Sequence, residues 1–173
     1  MDDEDRDDID EEPPGLPPLD GDPYRVPTNA FEVTLVFAGG VREEVTVFLA
    51  PLSGRHAGEE TVDEFLGSKR TFLPVRRPGG ASCLVSRDAL LCVEAGSEVP
   101  TALGREETAG GPLELVRLEL EGGVELEGAL RLLGPAQSRR VSDAFNGDEQ
   151  FVPLERGERT VYVNKRRVVC VQM

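Results

Sequence analysis

The side chains able to do chemistry in this chain are few and scattered. Its only histidine, His56, stands in a loop with no cysteine or second histidine nearby. A nucleophilic triad needs a histidine between nucleophile and acid, and a zinc site needs three or four clustered ligands. One isolated imidazole argues against both, and reads as an ordinary surface residue. Cys83, Cys92 and Cys170 are odd in number and lack CxxC spacing, which argues against a disulfide framework. Cys92 and Cys170 lie in apolar runs and read as small buried hydrophobes; their matched positions leave a Cys92–Cys170 disulfide as a lesser alternative. No GxxxxGK[ST] loop is present, and no GxGxxG opens a helix after a strand. The chain has 33 acidic residues, yet no spacing singles out a catalytic pair. The expectation is a non-enzyme with no catalytic residue, no metal and no cofactor.

The basic residues are better candidates for binding. Arg139, Arg140, Lys165, Arg166 and Arg167 gather in the C-terminal half, with Asp143, Asn146 and Asn164 beside them in sequence. Lys69, Arg70, Arg76 and Arg77 gather in the N-terminal half. Short basic runs suit phosphates. Against a nucleic acid stand a net charge of −14, the lack of Trp, and only two Tyr, which leaves no stacking platform for bases. A protein partner is therefore expected, with nucleic acid the disfavoured alternative. Asp143 has a plainer role as well, since an acid in a first helical turn complements the helix dipole.

The elements carrying these residues occur twice. Gly39-Gly40-Val41 matches Gly122-Gly123-Val124, and each lies between two apolar-alternating runs. Asp63-Glu64-Phe65 matches Asp143-Ala144-Phe145, and Phe72-Leu73-Pro74-Val75 matches Phe151-Val152-Pro153-Leu154. Leu84-Val85-Ser86-Arg87 then matches Tyr162-Val163-Asn164-Lys165, and Leu90-Leu91-Cys92-Val93 matches Val168-Val169-Cys170-Val171. The offset drifts from 83 to 78, as length changes in loops would produce. Residues 31–37 alternate with period two, a strand with one buried face, and the glycines supply the positive φ of a tight hairpin. Thr61 followed by Glu64 forms a capping-box pattern. Ser142 reads as the N-cap of the second short helix, which stops at Asn146-Gly147. Phe65 and Phe145 are expected to be buried under these helices. Pro74 is expected on an edge or at a bulge.

Residues 1–28 form an acidic, proline-rich arm. Residues 2–22 hold eleven Asp or Glu and one Arg, which is −10 of the total −14. Such a segment has little to bury and is expected to be disordered. The arm serves solubility, or docks on a basic partner or on the basic face around Arg139-Arg140 and Lys165-Arg166-Arg167. No apolar run approaches 18 residues and no apolar stretch follows Met1, so neither a membrane span nor a signal peptide is expected, and a cytoplasmic location is. The organisation read from the sequence is mainly β. The arm (1–28) precedes a first small five-stranded antiparallel barrel (29–95), a linker (96–112) and a second such barrel (113–173), each with one short helix. A core of about sixty residues is marginal alone; packing the two units together, or dimerising, would offset this.

The set Arg140-Val141-Ser142-Asp143-Ala144-Phe145-Asn146, Phe151-Val152-Pro153-Leu154, Val163-Asn164-Lys165 and Val168-Val169 resembles an uncharacterised bacterial domain with an R-x-S-D-x-F/L-N, F-I/V-P-L, V-N-K pattern. That resemblance covers about sixty residues and implies a small barrel of the Sm-like or SH3-like kind, without an established activity. The first unit departs from it: Thr61-Val62-Asp63 stands for Val-Ser-Asp, and Ser86-Arg87 for Asn-Lys. The function expected from the whole reading is a cytoplasmic protein-interaction or adaptor module. An RNA-binding or RNA-linked regulatory protein of Sm-like type is the alternative.

Overall fold

A computed structural model describes residues 27–104, 110–134 and 140–173. The first half contains β1 (Asn29–Phe37), β2 (Arg42–Leu49), α1 (Val62–Gly67), β3 (Phe72–Arg76), β4 (Ser82–Ser86) and β5 (Leu90–Ala95). The second contains β6 (Leu113–Leu120), β7 (Val124–Arg131), α2 (Val141–Asn146), β8 (Phe151–Arg156), β9 (Arg159–Asn164) and β10 (Val168–Gln172). Three-residue 3-10 turns, Arg87–Ala89 and Lys165–Arg167, join the last two strands of each half. The acidic arm, but for residues 27 and 28, lies outside the described residues, as do Arg139 and residues 105–109 of the expected linker.

The mainly β expectation holds, but two separate five-stranded barrels do not form. The ten strands make one antiparallel sheet in the order β10-β6-β7-β8-β9-β5-β1-β2-β3-β4. The cause is edge pairing. A closed unit would need its last strand to pair with its own fourth strand. Instead β5 pairs with β9, setting Cys92 opposite Val163, Val93 opposite Tyr162, and Glu94 opposite Val161. Each half satisfies an edge of the other, so the sheet stays open at β4 and β10.

Within each half the sheet is folded sharply at one place. The β2–β3 ladder has a single residue pair, Thr46 with Arg76, and the β7–β8 ladder only Ala129 with Glu155. Pro74 and Pro153 sit in the stretches that have left that neighbour, so their missing N–H groups break no ladder there. At the second bend a Cβ on Gly128 would approach Leu154 Cβ to 3.0 Å, and only glycine lets the strands come so near.

The alternation read from the sequence places the cores. Val33, Leu35, Val45 and Val47 point into the first fold with Phe65 and Leu66. Leu118, Leu120, Leu126 and Leu130 point into the second. The two cores interleave: Phe151 and Tyr162 of the second half complete the first core, while Val36, Leu91 and Cys92 complete the second. Every residue of β5 is buried, because this strand has a core on each face.

The helices differ from each other. α1 carries the expected capping box: Glu64 N–H donates to Thr61 Oγ1 at 3.3 Å, and Thr61 N–H to Glu64 Oε2 at 3.0 Å. α2 begins two residues earlier than expected, with Arg140 rather than Ser142 at the N-cap and no side-chain cap. The earlier start buries Val141 as α1 buries Val62. Phe65 is buried, but Phe145 is only half-buried. α1 leans on β8 of the other half, whereas α2 makes no strand contact of that extent among the described residues. Residues 96–104 of the expected linker pack against α1: Val99 is buried, Val62 N–H donates to Pro100 O at 2.9 Å, and Ala102 N–H to Asp63 Oδ2 at 2.7 Å.

Candidate functional site

The seam between the halves gathers most of the residues singled out in sequence. Asn164, the last residue of β9, is completely buried. Its Nδ2 donates to Leu90 O at 2.9 Å and to Arg87 O at 3.2 Å. Its Oδ1 accepts from Arg166 N–H at 3.1 Å and from Gln150 Nε2 at 3.5 Å. One carboxamide thus holds the 3-10 turn of the first half against that of the second.

The neighbouring cations reinforce the same contact. Arg166 Nη1 pairs with Asp88 Oδ1 at 2.9 Å. Arg167 donates through Nε to Asp88 O at 2.8 Å, and its Nη1 pairs with Glu121. Lys165 Nζ donates to Gly147 O at 2.6 Å, tying the turn to the end of α2; partial burial lowers its pKa. Asp88 also accepts from Gln150 Nε2 at 2.9 Å. Asn146 donates to Ser142 O at 2.7 Å inside α2, while Arg140 and Asp143 are exposed at the start of that helix. The expected basic face is therefore divided. Arg166 and Arg167 are already neutralised at the seam, and Arg140 stands apart from them on α2.

Two further polar contacts complete the seam. Tyr162 Oη donates to Asp63 Oδ2 at 2.8 Å. Burial foremost, and then the adjacent carboxylate, push the Tyr162 pKa far up, so this phenol stays protonated and donating. Glu94, buried on β5, pairs with Arg42 of β2 and with Arg159 Nη1 of β9 at 3.4 Å. The hydrogen bond that Arg42 donates to Glu94 raises the Arg42 pKa.

The arrangement around His56 is structural in kind. Its Nε2 lies 3.0 Å from Glu64 Oε2, and Glu64 Oε1 accepts from Ser53 Oγ at 2.7 Å. Glutamate thus stands between serine and histidine, so the imidazole cannot take the serine proton directly. His56 is not the free surface residue expected, since it packs on the capping-box glutamate. Among the described residues no group of three or more His, Cys, Asp or Glu is placed to hold a metal.

The sequence reading missed the outer edges. On β4 and the strand beside it, Leu84 and Phe72 are 68% and 51% exposed; on β10, Val169 is 66% exposed. Cys170, expected to be buried like Cys92, is exposed. Burial pushes the Cys92 thiol up to about 12. The three cysteines are free, so the alternative Cys92–Cys170 disulfide is not formed. The signal that could have found the edges was the repeat itself. Leu84 stands where Tyr162 stands in the other half, but with a strand on one side only among the described residues. No family model, no curated protein and no solved structure compared with this chain matches it.

Proposed function

We propose that this chain is a non-enzymatic protein-interaction module, built from one small bent-sheet unit written twice and acting in the cytoplasm. The observation that carries the reading is the pair of unpaired edge strands, β4 and β10, at the ends of the sheet, each with large apolar side chains in solvent. An open edge presents a row of N–H and C=O groups ready to pair with an added strand. Adjacent apolar side chains would give that pairing its selectivity. The repeated element order and the sharp bend in each half support kinship with small-barrel domains of the Sm-like or SH3-like kind. The engagement of Arg166 and Arg167 at the seam weighs against a phosphate-binding role.

The test is affinity capture from nuclease-treated lysate with the full chain, beside variants carrying Leu84→Lys or Val169→Lys. Retention of a defined protein that an edge variant loses is the expected result. Filter binding of RNA at two salt concentrations runs in parallel, since phosphate contacts weaken steeply with salt. Tight, salt-sensitive RNA binding untouched by the edge variants would overturn the reading in favour of an RNA-linked role.

A further inference from the structure

The seam is an internal example of how one unit receives another, and it leaves one of each contact surface unused. At the seam, the last strand of the first half (β5) pairs with the fourth strand of the second (β9). The last strand of the second half (β10) and the fourth of the first (β4) remain open. We propose that these two edges pair with each other between chains, head to tail, so that copies of this chain assemble through junctions built like the seam. This inference rests on the protein-interaction reading and names its partner as a second copy.

The molecule supplies its own control. Several residues at the seam are buried where their counterparts at the open edges are exposed. Tyr162 is 1% exposed and its counterpart Leu84 68%; Phe151 is 7% exposed and Phe72 51%. Leu91 is fully buried and Val169 is 66% exposed, while Cys92 is buried and Cys170 exposed. The backbone is matched as well. β5 bulges against β1 at Leu91, between the pairs Phe37–Leu90 and Val36–Cys92. β10 bulges against β6 at Val169, between the pairs Leu120–Val168 and Glu119–Cys170. Both last strands therefore present the same kinked edge to whatever lies beside them. The half-burial of Phe145 has the same cause: the strand that covers α1 belongs to the other half, and the equivalent for α2 would be β3 of the next chain.

The charges permit this junction. At the seam, Asp88 of the first 3-10 turn meets Arg166 of the second. At the proposed junction the same two turns meet in exchanged roles, so Arg166 again faces an Asp88, now of the next chain. Both side chains are about half exposed or more, at 67% for Arg166 and 49% for Asp88. The buried pair of Glu94 with Arg159 is replaced jointly. Gln172 stands at the position of Glu94 and Ala81 at that of Arg159, so no carboxylate would be buried there without its arginine.

The register follows from the seam. Cys92 opposite Val163 becomes Cys170 opposite Val85 of the next chain, and Val93 opposite Tyr162 becomes Val171 opposite Leu84. A heterologous contact of this kind closes into a ring or grows into a fibre.

The first experiment is light scattering on the full chain, on Leu84→Lys, on Val169→Lys and on their mixture. Both substituted residues are mostly in solvent, so neither change threatens the fold. An assembly larger than a dimer for the native chain, monomers for each variant, and a 1:1 dimer for the mixture are expected, because the mixture keeps one intact junction. A monomeric native chain at high concentration would overturn the proposal. So would self-association of either variant alone, which would mean like edges pairing with like. In the second experiment Val85→Cys is oxidised in a Cys83→Ser background. Chain-to-chain disulfides that Cys170→Ser abolishes are expected, and their absence in an oligomer refutes the register. A monomeric chain that still captures a different protein through an intact edge would sink self-assembly alone. Loss of both would sink the interaction reading as well.

Discussion

Removing the Asn164 carboxamide tests whether the seam is held by a specific polar contact or merely by apolar packing. The side chain is completely buried at the junction of the two 3-10 turns. Asn164→Ala strands the buried Leu90 carbonyl and leaves the partly buried Arg87 carbonyl and Arg166 amide without their partner. A buried group left unpaired costs about 1–3 kcal/mol, and a lost bond at a site water can reach about 0.5–1.5 kcal/mol. One of the first kind and two of the second give a loss of about 2–6 kcal/mol. Urea unfolding in the Leu84→Lys background reads this without a contribution from chain association. The control is Ser86→Ala, the equivalent position in the first half, expected within about 0.5 kcal/mol of its parent. Asn164→Asp sharpens the test. A carboxylate would face two carbonyls, so the folded state raises its pKa above the unfolded value of about 3.9. Its neutral form can still donate one bond, so stability is fully present below the unfolded pKa and is lost as pH rises through the folded one. A loss below about 1 kcal/mol for Asn164→Ala, or an equal loss for Ser86→Ala, would refute the idea that this contact fixes the seam.

The two helical phenylalanines should differ: Phe65→Ala should cost about 3–5 kcal/mol, and Phe145→Ala less than half of that in the monomeric background, both read by urea unfolding. In a Tyr24→Phe variant, Tyr162 should show no phenolate absorbance until the chain unfolds at high pH. Its raised pKa means that its contribution is complete below the unfolded value of about 10 and falls as pH climbs above it. Cys170 should react rapidly with a thiol reagent in Leu84→Lys and slowly in the native oligomer. Cys92, buried with its thiol pushed up to about 12, should be silent in both.

The local structure was legible because it is local. Alternation set the inward faces of β1 and β6, Thr61 with Glu64 set the start of α1, and paired glycines set both hairpins. The N-cap of α2 was misread because Ser142 is the more usual capping residue, while burial of Val141 decided the outcome. Which edge meets which was not legible. Edge pairing is a contact between main chains, and every strand carries the same main chain, so alternation cannot name the neighbour. The basic turn was misjudged for a related reason. Lys165, Arg166 and Arg167 read as a free cationic patch only while Asp88 and Glu121 are far away in sequence.

What does distinguish the edges is the difference between strands at corresponding positions of the two halves. If each half had evolved as an isolated closed unit, corresponding positions of β4 and β9, or of β5 and β10, would be buried to similar degrees. They are not. β5 is buried throughout while β10 is exposed at Val169 and Cys170, yet both keep apolar residues at those positions and the same bulge. A sheet edge that exists only to face solvent is ordinarily blunted by lysine, proline or an inward charge. β4 and β10 carry Leu84, Val169 and Val171 instead, with no lysine, arginine, aspartate or glutamate in either strand. Apolar side chains retained on an unprotected edge are a liability for a monomer and an asset for an assembly. The edges of this sheet are therefore better understood as halves of a junction than as its ends.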